Sequence, residues 1–142
     1  MQKKGEDLSS VLYIEDDSIN WEIVNMFLKG HYLVDTASES SEAMGKIKNK
    51  NYSVILLDIS LKRGTNGLEL AKEIKKVKSY ADTPIIAVTA HATREDENRI
   101  LRGACTHYIS KPFTKKTLLE TLKKALSWST TLLFKNVTIT KN

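Results

Sequence analysis

Tyr52-Ser53-Val54-Ile55-Leu56-Leu57-Asp58 is an apolar, β-branched run that stops at a single carboxylate. Such a run reads as a strand buried on both faces, as in a parallel sheet sandwiched between two helical layers. At the carboxyl end of a parallel strand, a side chain reaches the ligand crevice of an open α/β sheet. A lone acid there can serve as nucleophile, metal ligand or helix cap. The residues that converge on it decide which.

Working outward from this run, strand and helix signals alternate five times. Ser9 to Ile14 reads as a first strand, stopped by Glu15-Asp16-Asp17. A helix follows with Ile19, Ile23 and Met26/Phe27 expected on its buried face, ending near Gly30. Leu33 to Ala37 is a weak second strand. Ser40 or Ser41 is the expected cap of a short helix carrying Ala43, Met44 and Ile47. After the Asp58 strand, Asn66-Gly67-Leu68-Glu69 has capping-box spacing and opens a third helix with Leu68, Ala71, Ile74 and Val77. Pro84 to Thr89 is the fourth strand. Thr93 caps a polar fourth helix that ends at Gly103, and His107 to Ser110 is the fifth strand. Thr114 caps a fifth helix with Leu118, Leu119, Leu122 and Leu126.

This repeat predicts an α/β fold, a doubly wound five-stranded parallel sheet with helices on both faces. Residues 1–7 read as an N-terminal extension, 8–126 as the domain and 127–142 as a tail. Val137-Thr138-Ile139-Thr140 alternates like a strand, so two expectations stand for the tail: disorder, or docking at a sheet edge.

The 142 residues suffice for one domain with a real core. No apolar stretch approaches the roughly 20 residues needed to span a bilayer, and Met1 to Asp7 has no apolar segment of a signal peptide. One cysteine, Cys105, forms no internal disulfide or metal cluster and reads as a small buried apolar residue. A cytoplasmic location and no membrane insertion are the expectations. The net charge of +5 raises the question of nucleic acid. The lysines, however, are scattered along helices and leave no groove-shaped footprint, so nucleic acid is not the expected partner.

In a parallel sheet the strand ends lie along one edge. Glu15, Asp16 and Asp17 follow the first strand, Asp58 the third, Thr89 the fourth and Lys111 the fifth. Carboxylates this close oppose their joint ionisation, and a divalent cation relieves that cost. The donors are all oxygens, which favours Mg²⁺ over zinc, with Mn²⁺ as a substitute. Lys111 offers a compact positive charge suited to a phosphoryl group. Thr89 can donate to a phosphoryl oxygen, and an aspartate can attack phosphorus to form an aspartyl-phosphate. Taken singly, each has a plainer reading: an acid at 15–17 caps the helix, Thr89 is a strand residue, Lys111 is a surface charge. His31, His91 and His107 show no ligand spacing.

At these positions the chain resembles the receiver domain of two-component response regulators. The resemblance spans about Leu8 to Leu126. It rests on Val11-Leu12-Tyr13-Ile14-Glu15-Asp16-Asp17, Ile55-Leu56-Leu57-Asp58-Ile59, Val88-Thr89-Ala90 and Tyr108-Ile109-Ser110-Lys111-Pro112-Phe113, in order and suitably spaced. It implies strand order 2-1-3-4-5, which puts the crevice between strands 1 and 3. It implies that Asp58 accepts a phosphoryl group from a histidine kinase or a phosphotransfer protein. Glu15, Asp16, Asp58 and the backbone carbonyl of Ser60 would hold Mg²⁺. Thr89 and Lys111 would contact the phosphoryl group, Tyr108 would be the aromatic switch, and the Lys111–Pro112 peptide is often cis in the family. Output would pass through the face of the fourth helix, fifth strand and fifth helix, to a protein effector or a homodimer.

One departure is notable. The family commonly has a proline after the acceptor and a glycine eight residues on. Here Leu61-Lys62-Arg63-Gly64-Thr65-Asn66-Gly67 lacks the proline and puts the glycine nine residues on, which reads as a one-residue insertion. An aspartyl-phosphate hydrolase needs a second aspartate two residues after its nucleophile, and Ser60 stands there instead. The expectation is therefore a signalling domain and not an enzyme. The alternative is an interaction domain of the same fold that works without phosphorylation.

Overall fold

The computed structural model describes residues 8–61, 66–90 and 93–140, with side chains through Ser129. Five strands, β1 (Ser10–Ile14), β2 (Leu33–Ala37), β3 (Val54–Asp58), β4 (Ile85–Thr89) and β5 (His107–Ser110), alternate with five helices. The helices are α1 (Ser18–Leu28), α2 (Ser40–Asn49), α3 (Gly67–Lys76), α4 (Arg94–Arg102) and α5 (Lys115–Thr140). All strand pairs are parallel and the sheet order is β2-β1-β3-β4-β5.

The alternation of each strand sorts its side chains between two cores. Leu12, Ile14, Ile55, Leu57, Ile85 and Ala87 face α2, α3 and Ile100 of α4. Val11, Tyr13, Val54, Leu56, Ile86 and Val88 face α1 and α5, where Val24, Leu28, Leu118, Leu122 and Ala125 close the layer. Both faces of β3 are buried along its whole length, as its unbroken apolar run predicts. The register levels the strand ends, pairing Ile14 with Leu57, Asp58 with Val88, and Thr89 with Ser110. That alignment, more than any single loop, assembles the site.

Several local expectations hold in atomic detail. The Asn66 side chain accepts from the Glu69 N–H at 3.0 Å, Thr93 from Asp96 at 3.2 Å and Thr114 from Thr117 at 3.1 Å. The Lys111–Pro112 peptide is cis, and Cys105 is buried. Tyr80, in the short turn Lys78–Tyr80, accepts from the Tyr52 N–H at 3.0 Å and donates to the Lys50 carbonyl, tying the entry of β3 to the end of α3.

Three expectations need correction. The buried stripe of α1 runs through Val24 and Leu28 with Trp21 and Phe27 beside it, while Ile19 and Met26 are each 66% exposed. Two apolar stripes share this helix, and residue type alone does not say which meets the sheet. The second correction concerns α2, where Glu39 holds the cap position and no side chain closes it; the Ser41 hydroxyl bonds the Glu39 carboxylate instead. The third is the tail. Residues 127–140 form no edge strand and continue α5 instead. A helix already nucleated by residues 115–126 extends at little cost, because each added residue satisfies its own backbone. Trp128 supports the extension, meeting His107 edge-on at 5.9 Å. Residues 1–7 and 62–65, which carry the extension and most of the insertion reading, lie outside the described residues.

Candidate phosphoacceptor site

Asp58 ends β3 at the carboxyl edge of the sheet, 4% exposed. Its Oδ1 accepts the Ser60 N–H at 2.8 Å and its Oδ2 accepts Lys111 Nζ at 3.1 Å. Ile59 continues the ladder, donating its N–H to the Val88 carbonyl, so the acceptor's backbone is pinned on both sides. Lys111 stands one residue past β5 because its own N–H bonds the Thr89 carbonyl at 2.8 Å.

Glu15, one residue past β1, is 1% exposed. Its Oε1 accepts from Lys111 Nζ at 2.9 Å, from Asn20 Nδ2 at 2.6 Å and from the Tyr13 hydroxyl at 3.4 Å. Its Oε2 accepts the Asp16 N–H at 3.1 Å. One ammonium therefore bridges two buried carboxylates from strands adjacent in the sheet. Carboxylate oxygens of Glu15, Asp16 and Asp58 all lie within 4.8 Å of one another. An all-oxygen set at that spacing suits a hard divalent cation such as Mg²⁺.

The electrostatics follow from crowding acids in a buried place. Burial, then the hydrogen bond and charge of Asp58, push Glu15 up to about 7 despite Lys111 and Asn20. Burial acts on Asp58 in the same direction, but the hydrogen bond with Glu15, the Ser60 N–H and Lys111 outweigh it and hold Asp58 below the usual range. Of the two acids, Glu15 is the one pushed toward protonation and Asp58 the one held charged. Lys111 is raised, its burial outweighed by the two carboxylates. Burial and the neighbouring Glu15 keep the Tyr13 phenol protonated.

Glu15, Asp16, Asp58 and Lys111 therefore meet as the sequence predicts, with Ser60 bonded to Asp58 through its backbone. Thr89 ends β4 beside Asp58, 3% exposed. Tyr108 lies farther along β5, its hydroxyl donating to Glu97 of α4 at 2.6 Å. Asp17 takes the plainer role and caps α1, accepting the Ile19 N–H at 2.9 Å. Sequence reasoning missed Tyr13, Asn20, Trp21 and Glu97. Tyr13 could have been found by strand alternation, since it shares a face with Glu15. Trp21, whose Nε1 donates to the Glu15 carbonyl at 2.6 Å, and Asn20 gave no such signal.

A doubly wound parallel sheet that gathers three carboxylates and a lysine at its topological switch point fits the receiver class of signalling domain. The chain belongs to the response regulator receiver domain family, whose model matches residues 11–123. It is 35% identical over 119 residues to the polar-differentiation response regulator DivK of Brucella ovis, covering 82% of this chain and 95% of that protein. Its fold is similar to that of the chemotaxis protein CheY4 of Vibrio cholerae, with a TM-score of 0.79 at 28% identity, covering 84% of this chain and 99% of that one. It also resembles the receiver domain of a sensor histidine kinase from Pseudomonas aeruginosa, with a TM-score of 0.77 at 26% identity over 84% of this chain and 98% of that one. That structure has a magnesium ion coordinated in its active-site cleft. The family is a signalling domain of two-component systems and not a conventional enzyme. Among the described residues, no helix is long and apolar enough to cross a membrane.

Proposed function

We propose that this chain receives a phosphoryl group on Asp58 from a phosphohistidine of a histidine kinase or phosphotransfer protein. The observation that carries the reading is Lys111 Nζ, placed between Glu15 and Asp58 at 2.9 and 3.1 Å. Asp58 is the better nucleophile of the two acids, because its surroundings favour its charged form while those of Glu15 oppose it. Its carboxylate oxygen attacks phosphorus, the P–N bond breaks, and the donor imidazole leaves with the electron pair. Glu15, Asp16, Asp58 and the Ser60 carbonyl would hold Mg²⁺, which supplies neutralisation of charge on the carboxylates and the transferring phosphoryl oxygens.

Once Asp58 is converted to its acyl phosphate, Lys111 loses one carboxylate partner and pairs with a phosphoryl oxygen. Thr89, on the adjacent strand, donates to another. Tyr108 then exchanges its bond with Glu97 for an inward position, which shifts the balance between two states of the α4–β5–α5 face. That face holds a depression of about 570 Å³ lined by residues including Leu101, His107, Tyr108 and Lys124. It is the surface expected to meet an effector protein or a second copy.

The test is direct. The protein is incubated with Mg²⁺ and acetyl phosphate and its mass is measured. Wild type is expected to gain one phosphoryl group, and Asp58→Ala and metal-free wild type none. No gain in wild type, or an equal gain in Asp58→Ala, overturns the assignment.

A further inference from the structure

Glu15 is gripped twice by α1. Asn20 Nδ2 reaches its carboxylate and Trp21 Nε1 reaches its backbone carbonyl, each at 2.6 Å. These consecutive residues stand one turn beyond the Asp17 cap, so a single helical turn fixes both ends of one residue of the acid cluster. Asn20 and Lys111 both donate to Oε1, while Oε2 accepts the Asp16 N–H. Lys111 is shared with Asp58 and must serve the phosphoryl group as well, whereas Asn20 has no such second duty at the cluster. Asn20 also lines a cavity of about 350 Å³ together with Tyr13, Ile23, Val24, Lys111, Pro112 and Phe113.

We propose that Asn20 is a positioning residue of the acid cluster: its amide locks the Glu15 carboxylate in the orientation that receives the divalent cation, and it keeps that lock when Lys111 turns to the phosphoryl group. The inference rests on reading the cluster as a Mg²⁺ site. A buried carboxylate deprived of a charge-assisted donor reorients or recruits water. Groups that orient metal ligands from behind typically matter about tenfold or more in metal affinity. Of the donors on Oε1, only Asn20 comes from α1, so the helix and the metal site are coupled through it.

The experiment is calorimetric titration of the full chain with MgCl₂ at pH 8, alongside urea denaturation of the same samples and the acetyl phosphate mass assay. Asn20→Leu, close in volume but without a donor, is expected to weaken Mg²⁺ binding about tenfold. Asn20→Gln, which keeps an amide, is expected to recover most of the affinity. Asn20→Ala, which needs no repacking, serves the same purpose should the leucine prevent folding. A wild type that binds Mg²⁺ and gains a phosphoryl group, with donor-less variants bound within about twofold of it, overturns this inference and leaves the phosphoacceptor reading intact. A lowered denaturation midpoint with unchanged Mg²⁺ affinity also overturns it, since that is what a merely structural hydrogen bond would give. A wild type that binds no Mg²⁺ overturns the metal-site reading and this inference with it.

Discussion

Raising the pH in the absence of divalent cations should weaken the fold, and the effect should reside in Glu15. Glu15 is held at about 7 in the folded protein against an ordinary 4.5. An acid whose proton binds more tightly in the native state gives the native state more bound protons across that interval. Stability therefore falls as pH rises from about 4.5 to about 7 and then levels. At about 1.4 kcal/mol per pH unit, the gap corresponds to about 3 kcal/mol, a large part of a typical domain's stability. Asp58 works the other way, but below the ordinary carboxylate range, so it leaves a window between pH 5 and 8 undisturbed. His107 also bears on the window. Burial, then Lys124, hold it below its ordinary value, so it adds stability as pH rises and opposes Glu15. The informative quantity is thus a difference. Urea unfolding with EDTA at pH 5.5 and 8 should show wild type losing about 2 kcal/mol relative to Glu15→Gln, which has the shape without the titration. Saturating Mg²⁺ should raise wild-type stability at pH 8. If wild type and Glu15→Gln change in parallel between the two pH values, the account of a raised Glu15 is wrong.

Other expectations concern the frame around the site. Gly67→Ala would place a Cβ 2.4 Å from the Ile59 Cα and 2.8 Å from the Asp58 carbonyl oxygen; backbone must move, so urea unfolding should show a loss of about 3 kcal/mol, with slower acetyl phosphate labelling. Tyr80→Phe removes the acceptor of the Tyr52 N–H and a donor to the Lys50 carbonyl. It should cost about 2 kcal/mol in the same assay while leaving labelling of Asp58 unchanged. Trp21 bonds the Glu15 carbonyl, so Mg²⁺ addition should change tryptophan emission in wild type and leave it unchanged in Trp21→Phe, which keeps Trp128.

The frame was legible because the strands are short, apolar and sharply stopped. Asp58 and Thr89 stand where apolar runs end, and parallel pairing then forces those ends together. The caps at Asn66, Thr93 and Thr114 were legible because capping is local chemistry. What was lost depends on neighbours distant in sequence. Ile19, Ile23 and Met26 look as core-like as Val24 and Leu28 until the sheet is in place to choose between them. Val137 to Thr140 has strand-like alternation, but the helix begun at Lys115 imposes its own period on it. Asn20 and Trp21 carry no motif; their meaning comes from Glu15 folding back over the first turns of α1.

The contact of Gly67 with the backbone of Asp58 and Ile59 has a bearing on how this chain can diversify. The segment after the acceptor is moored at both ends: at its start by the Ser60 N–H on Asp58 and the Ile59 N–H on Val88, and at its return by Gly67 lying against that same backbone. Both moorings lie on backbone at the end of β3, so the position of the carboxylate is set there and not by the residues between them. A change of length or charge between the two moorings would thus leave the Asp58 carboxylate where the sheet puts it.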